Sequence, residues 1–231
     1  MSFITTKIIH NEIVLVTINH PEKNLLNPAV MTELVNALTE ANLNSEIKGI
    51  VLTGSGAFFC GGLDVLAIQA GGDPVEFATH LIQVLKLFPD FTKPIAAAVN
   101  GDALASGASL VAACDFAVTI PSAKIGTYEV SAGIWPMIAQ VPLIQRIGPK
   151  AAMENVGSGE PFTAQRAYEV GLVQRIVEPS QLINEASEWV IKGIRGKGAV
   201  AAGRQAFYEL AELPYGDALN RSFEIFVSMF K

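Results

Sequence analysis

The sequence predicts an α/β fold, and three observations carry that prediction. Residues 13–18 and 48–53 are β-branched runs bounded by turn residues; Pro28 to Leu43, between them, places Val30, Met31, Leu34, Val35 and Leu38 at helical spacing; and the alternation of strand and helix then repeats as far as residue 119. Half of the 231 residues are apolar, enough for a substantial core.

In chain order, 13–18 is the first expected strand. Pro28 suits the first turn of the helix over 28–43, where its missing N–H is not needed. After the strand at 48–53, Gly54 and Gly56 turn the chain. A helix over 74–88 leads to strands at 94–99 and 114–119, with an apolar helix near 107–113 between them. From about Pro136 the composition turns helical, through 137–146, 149–156 and 163–170, with one strand-like run at 172–177. Residues 180–197, 199–212 and 216–230 read as three helices separated by Gly or Pro. The change near residue 136 is either a domain boundary or the helical second half of one unit.

Several function classes find no support. A net charge of −6 argues against binding nucleic acid, whose affinity comes mostly from basic neutralisation of phosphates. No apolar run approaches the roughly 18 residues of a membrane span, and the N-terminus lacks the layout of a signal peptide, so a cytoplasmic location without membrane contact is expected. Cys60 and Cys114 lie in apolar company and read as buried free thiols. His10, His20 and His80 are isolated and form no metal-ligand or Ser/His/Asp pattern, and the Gly-rich spots match neither phosphate-loop motif. No metal site is expected.

Two features could carry chemistry. Phe58 to Val65 follows a strand and a turn, with small residues ahead of a helix start near Asp64. Val99 to Leu110 runs out of the strand at 94–99 with almost nothing on its side chains except methyls and two hydroxyls. A helix starting within it presents unpaired N–H groups and the positive end of its dipole. Two such backbone donors can hold a developing negative oxygen, each worth roughly 2.7–4 kcal/mol of transition-state stabilisation. Small residues after a strand also serve close helix–sheet packing, so both readings stand at this point. Glu129, alone, reads as an acid in an otherwise apolar region.

Five segments in order carry a resemblance: Asn19 to Leu26, Phe59 to Asp64, Pro94 to Asp115, Ala123 to Glu129, and Gly159 to Ala164 with Ala167 and Gly171 to Val173. On these, the chain resembles the enoyl-CoA hydratase/isomerase (crotonase) superfamily from about residue 11 to its end. The resemblance implies a crotonase-like fold of repeated ββα units, with residues 1–178 as an acyl-CoA-binding core. Residues 179–231 would be a helical oligomerisation region, shorter than usual for the family, driving a homotrimer or dimer of trimers. It implies an acyl-CoA thioester as substrate and no cofactor beyond the coenzyme A moiety itself. By position, the N–H groups of Leu63 and Ser106 would hold the thioester oxygen. Gly62, Leu63, Asp64 and Val65, with Lys23 and Leu25 nearby, together with Ser106, would meet the coenzyme A.

The family's hydratases use two glutamates twenty residues apart; here the corresponding positions hold Ser109 and Glu129. Adding water across a double bond asks for a base and an acid, and Ser109 cannot act as a carboxylate. Shifting a double bond needs one carboxylate that takes a proton from one carbon and returns it to another. The resemblance therefore points to a Δ3,Δ2-enoyl-CoA isomerase with Glu129 as the shuttle. The alternatives are a hydratase or another crotonase reaction (decarboxylation, thioester hydrolysis, dehalogenation), with Ser109 positioning water or substrate, and a non-catalytic acyl-CoA-binding subunit. Burial among Ile125, Val130, Ile134 and Trp135 would make Glu129 more basic. Tyr128 stands where the family usually has Pro, either packing or joining the site. Phe77, Leu81, Val84, Trp135, Met137 and Ile138 could line an acyl pocket, though core packing would account for most of them.

Overall fold

The computed structural model describes residues 2–196 and 198–230; Met1, Lys197 and Lys231, which the expected boundaries include, lie outside them. Two sheets organise the chain. The larger has six strands in the order β1 (Ile4–Ile9), β2 (Ile13–Ile18), β3 (Gly49–Gly54), β5 (Ile95–Val99), β7 (Phe116–Thr119) and β10 (Arg175–Ile176). β1 and β2 form an antiparallel hairpin, and all later pairings are parallel. Every residue of β3 and β5 is buried, so both faces of the sheet's centre are covered.

α2 (Pro28–Leu43) packs on the β1–β3 side of the sheet, and α8 (Leu182–Ile194) on β3, β5 and β7. The α8 contact is close: a Cβ on Gly49 would lie 2.1 Å from Val190 Cγ1. Thus a helix C-terminal to residue 178 is built directly onto the central strands. α9 (Ala199–Ala211) packs on α4 (Pro74–Asp90), and α10 (Tyr215–Ser228) on α9.

The α/β expectation holds, and the four expected strands and main helices stand within a few residues of their places. β1 is an addition. Its Thr5, Thr6 and Lys7 are exposed on an edge strand, so it shows no apolar alternation. The helices expected over 137–146 and 149–156 join as α6 (Gln140–Ser158), broken at Gly148, whose φ of 76° precedes Pro149.

The second sheet escaped the reading of periodicity. It comprises β4 (Phe58–Cys60), β6 (Asp102–Leu104), β8 (Lys124–Gly126) and β9 (Phe162–Thr163), in that order. It entered only through the ββα units that the resemblance implies, as the second strand of the pairs β3–β4, β5–β6 and β7–β8. Strands of two or three residues are too short to show a period. No helix among the described residues is long and apolar enough to cross a membrane.

α9 is pinned by charge. Arg204 Nη2 lies 2.9 Å from Asp115 Oδ1, its Nε donates to Oδ2 at 2.9 Å, and its Nη1 donates to Phe91 O at 2.7 Å. Asp115 also accepts from Ile95 N–H and from the Tyr208 hydroxyl. One carboxylate therefore joins the ends of β5 and α5 (Ser106–Ala113) to α9. Arg204→Ala leaves the buried carboxylate short of its counter-ion, and chemical denaturation is expected to show a loss of about 3 kcal/mol.

Candidate active site

The second sheet brings the site together. β4, β6 and β8 are adjacent and parallel, with Cys60 beside Ala103, Ala103 beside Ile125 and Leu104 beside Gly126. Chain leaving the same end of each strand must emerge on one edge of the sheet, as ligand sites of parallel sheets do. Leu63 follows β4, Ser106 follows β6 and Glu129 follows β8. The Ala105 N–H donates to Gly126 O at 2.9 Å, extending the β6–β8 ladder to the residue before Ser106.

Ser106 is the first residue of α5, and Ala105, its N-cap, has no side chain to bond the helix N–H groups. Among the described residues neither the Ser106 N–H nor the Leu63 N–H has a protein acceptor. A Cβ on Gly62 would lie 3.5 Å from Ser106 N and 2.7 Å from Ala105 Cβ, so the two loops touch. Two unused donors thus stand on neighbouring backbones, at the positive end of a helix. Ala105 has φ 52° and ψ −121°, a conformation that a residue with a Cβ adopts at a cost of order 1–3 kcal/mol.

The bare stretch also has a packing reason. A Cβ on Gly101 would lie 1.9 Å from Ala57 O, and one on Gly107 would lie 2.2 Å from Cys60 O. Both readings of the small residues therefore hold: they let α5 sit directly on β4, and that approach leaves the donors side by side.

On the other side of β4, Gly61 N–H donates to Lys23 O at 2.8 Å and Leu26 N–H to Gly62 O at 2.8 Å. Lys23 and Leu25 therefore flank Gly61 and Gly62, as expected. Asp64 caps α3 (Val65–Gln69), its carboxylate accepting from Ala67 N–H at 3.0 Å, and Val65 is exposed beside it. Cys60 is buried, and burial pushes its thiol up to about 12, which removes it as a nucleophile.

A family model described as "Enoyl-CoA hydratase/isomerase" matches residues 8–231. The chain belongs to this family. The 2,3-dehydroadipyl-CoA hydratase of Escherichia coli is 31% identical to it, over 93% of this chain and 85% of its own. The crotonyl-CoA hydratase of Syntrophomonas wolfei is 32% identical, over 80% of this chain and 72% of its own. An enoyl-CoA hydratase of Mycobacterium smegmatis shares the fold with a TM-score of 0.91 at 28% identity, the match covering 98% and 90% of the two chains. The chain is thus an enoyl-CoA hydratase/isomerase family enzyme with the crotonase fold.

Within this family member, Glu129 opens a 3-10 turn, Glu129–Ala132, and is half-buried; its Oε2 accepts from Tyr128 N–H at 2.8 Å. The expected apolar enclosure is incomplete in the single chain. Ile125 is fully buried, but Ile134 and Trp135 are 59% and 43% exposed, because residues 133–137 run across the surface. Ser109 is fully buried and its hydroxyl donates to Ala139 O at 2.8 Å. Tyr128 is 40% exposed; partial burial, then the neighbouring Glu129 charge, holds its phenol protonated above the usual tyrosine range. Phe77, Leu81 and Val84 are core residues on the buried face of α4.

One positioning residue escaped the sequence reading. Asn155, on α6, accepts from Thr127 N–H at 2.8 Å and donates to Thr127 O at 2.8 Å and to Glu160 O at 2.9 Å. It fixes the backbone two residues before Glu129. Nothing in its local sequence marks it apart from being a polar residue on an otherwise buried helix face. Asn155→Ala orphans several buried polar groups at once, and denaturation is expected to show a loss of about 1–3 kcal/mol.

Proposed function

We propose that this chain is an enoyl-CoA isomerase of the Δ3,Δ2 type. The observation that supports the reading is that Glu129 leaves the same sheet edge as Leu63 and Ser106, whose N–H groups are free among the described residues, while the resemblance puts Ser109 at the position of a second acid. A 3-enoyl thioester would seat its carbonyl oxygen between the Leu63 and Ser106 N–H groups. Glu129 takes a proton from the α-carbon (C2), the C–H pair becomes the C1=C2 bond of a dienolate, and the carbonyl π pair moves onto the thioester oxygen, which carries the negative charge. The same carboxyl group returns the proton to the γ-carbon, leaving a 2-enoyl thioester with no net change in atoms. The donors act on charge that exists only between the two proton transfers, which is where such donors accelerate a reaction. On the resemblance, Lys23, Leu25, Gly62, Leu63, Asp64, Val65 and Ser106 are assigned to the coenzyme A moiety.

A hydratase is the second reading, favoured by the names of the relatives, which are mostly hydratases. Against Ser109 as the water-positioning group stands its hydrogen bond to Ala139 O. We also assign a homotrimer or dimer of trimers: α10 leaves Leu219, Phe223 and Phe226 exposed at i, i+4 and i+7, a stripe suited to another copy.

Steady-state assays of 3-hexenoyl-CoA and crotonyl-CoA separate the readings. Glu129→Gln is expected to lower kcat on 3-hexenoyl-CoA by about 10²-fold or more, the usual contribution of a positioned acid–base group. Unchanged turnover would overturn the assignment. Hydration of crotonyl-CoA that survives Glu129→Gln and fails in Ser109→Ala would favour the hydratase.

A further inference from the structure

A cavity of about 630 Å³ opens between α4, the C-terminal end of α5, the start of α6 and α9. Its wall is mostly apolar, with Ile82, Leu85, Ala113, Ile138, Val141 and Phe207 among the lining residues. It lies at the opposite end of α5 from the candidate site. Ser106 begins that helix and Ala112 and Ala113 at its other end line the cavity, so the separation along the axis is roughly 10 Å at 1.5 Å per residue. The Ser109 hydroxyl, one turn before Ala112, holds Ala139 next to the cavity residue Ile138.

This cavity has in its wall one cation with no carboxylate partner of its own among the described residues. Arg146 lines it, half-buried, with Nε donating to Ala112 O at 2.9 Å and Nη2 to Cys114 O at 2.6 Å and to the Tyr208 hydroxyl at 3.3 Å. Among the described residues no carboxylate oxygen lies within 4.0 Å of it, and its Nη1 has no acceptor. The nearby Asp115 is paired with Arg204 instead. Lys86 and Glu212, the cavity's other charged residues, are exposed and opposite in sign. A mostly apolar cavity with a guanidinium lacking a carboxylate partner in its wall favours a chain that is hydrocarbon along its length and anionic at its tip.

We propose that the cavity receives the distal half of a medium-length acyl chain and that Arg146 binds a carboxylate at its end, so that the substrates are thioesters of dicarboxylic acids. This rests on the reading of the site as an acyl-CoA site. The test is calorimetric binding of three unreactive thioesters to the full chain: butyryl-CoA, octanoyl-CoA and suberoyl-CoA, the last an eight-carbon chain ending in a carboxylate. Suberoyl-CoA is expected to bind about tenfold more tightly than octanoyl-CoA, as a charge-assisted hydrogen bond to the free Nη1 would give. In Arg146→Gln that advantage is expected to vanish. Ala113→Phe, which fills the cavity while leaving Arg146 its backbone partners, is expected to weaken both eight-carbon ligands relative to butyryl-CoA, and it carries the test if Arg146→Gln does not fold. Octanoyl-CoA binding as tightly as suberoyl-CoA, or an advantage that persists in either variant, would overturn the inference. Failure of all three to bind would overturn the acyl-CoA reading itself, whereas lost turnover with intact binding bears only on the isomerase assignment.

Discussion

Everything at the candidate site depends on the parallel pairing of β4, β6 and β8. Each strand is only three residues long, yet their shared direction forces Leu63, Ser106 and Glu129 out of one edge, although Leu63 and Glu129 are far apart in sequence. No single segment contains the site. A change of register at β8 would carry Glu129 to the other face while leaving the two donors untouched, because side chains alternate along a strand. The carboxylate and the donors are thus coupled through backbone hydrogen bonds, with no side-chain contact between them required. Asn155 and the Ala105–Gly126 bond hold that register at the buried end of β8, ahead of Glu129.

The stretch from Val99 to Leu110 meets two requirements with one set of residues. Clearance for the β4 backbone excludes side chains at Gly101 and Gly107, and the resulting approach puts the Ser106 N–H beside the Gly62–Leu63 loop. Ala105 bears the cost in its positive φ. Its strain is held by the surroundings: Ala105 N–H is bonded to Gly126 O, and Ala105 O accepts from the Ala108 and Ser109 N–H groups. Rigid fixing of this kind suits a donor that must be aimed before charge appears on its partner.

The large sheet was legible because its central strands are four to six residues long and rich in β-branched residues and alanine, and its helices show a clear 3.6-residue period. The small sheet was not legible from periodicity: Phe58–Cys60 and Lys124–Gly126 form strands only through partners distant in sequence. β1 was hidden by exposed polar residues on an edge. At the site, backbone positions were readable from the motifs they share with a family, whereas surroundings were not. Whether Ile134 and Trp135 enclose Glu129 depends on the path of residues 133–137, and Asn155 reaches Thr127 from a helix 28 residues on.

Ser109 shows how losing an acid can be compatible with function. A carboxylate at this fully buried position would need donors or a counter-ion to remain charged. A serine hydroxyl needs one acceptor and finds it in Ala139 O, tying α5 to the segment that runs on from Glu129. On the proposed reading the position serves packing and not acid–base chemistry, since the helix that begins at Ser106 and the segment that follows Glu129 are joined at this point. A double-bond shift needs just these parts, one movable proton and one fixed pair of donors, held at constant distance. Adding water would require a further group to activate it, and Ser109, with its proton committed to a carbonyl, is poorly placed to serve as a base.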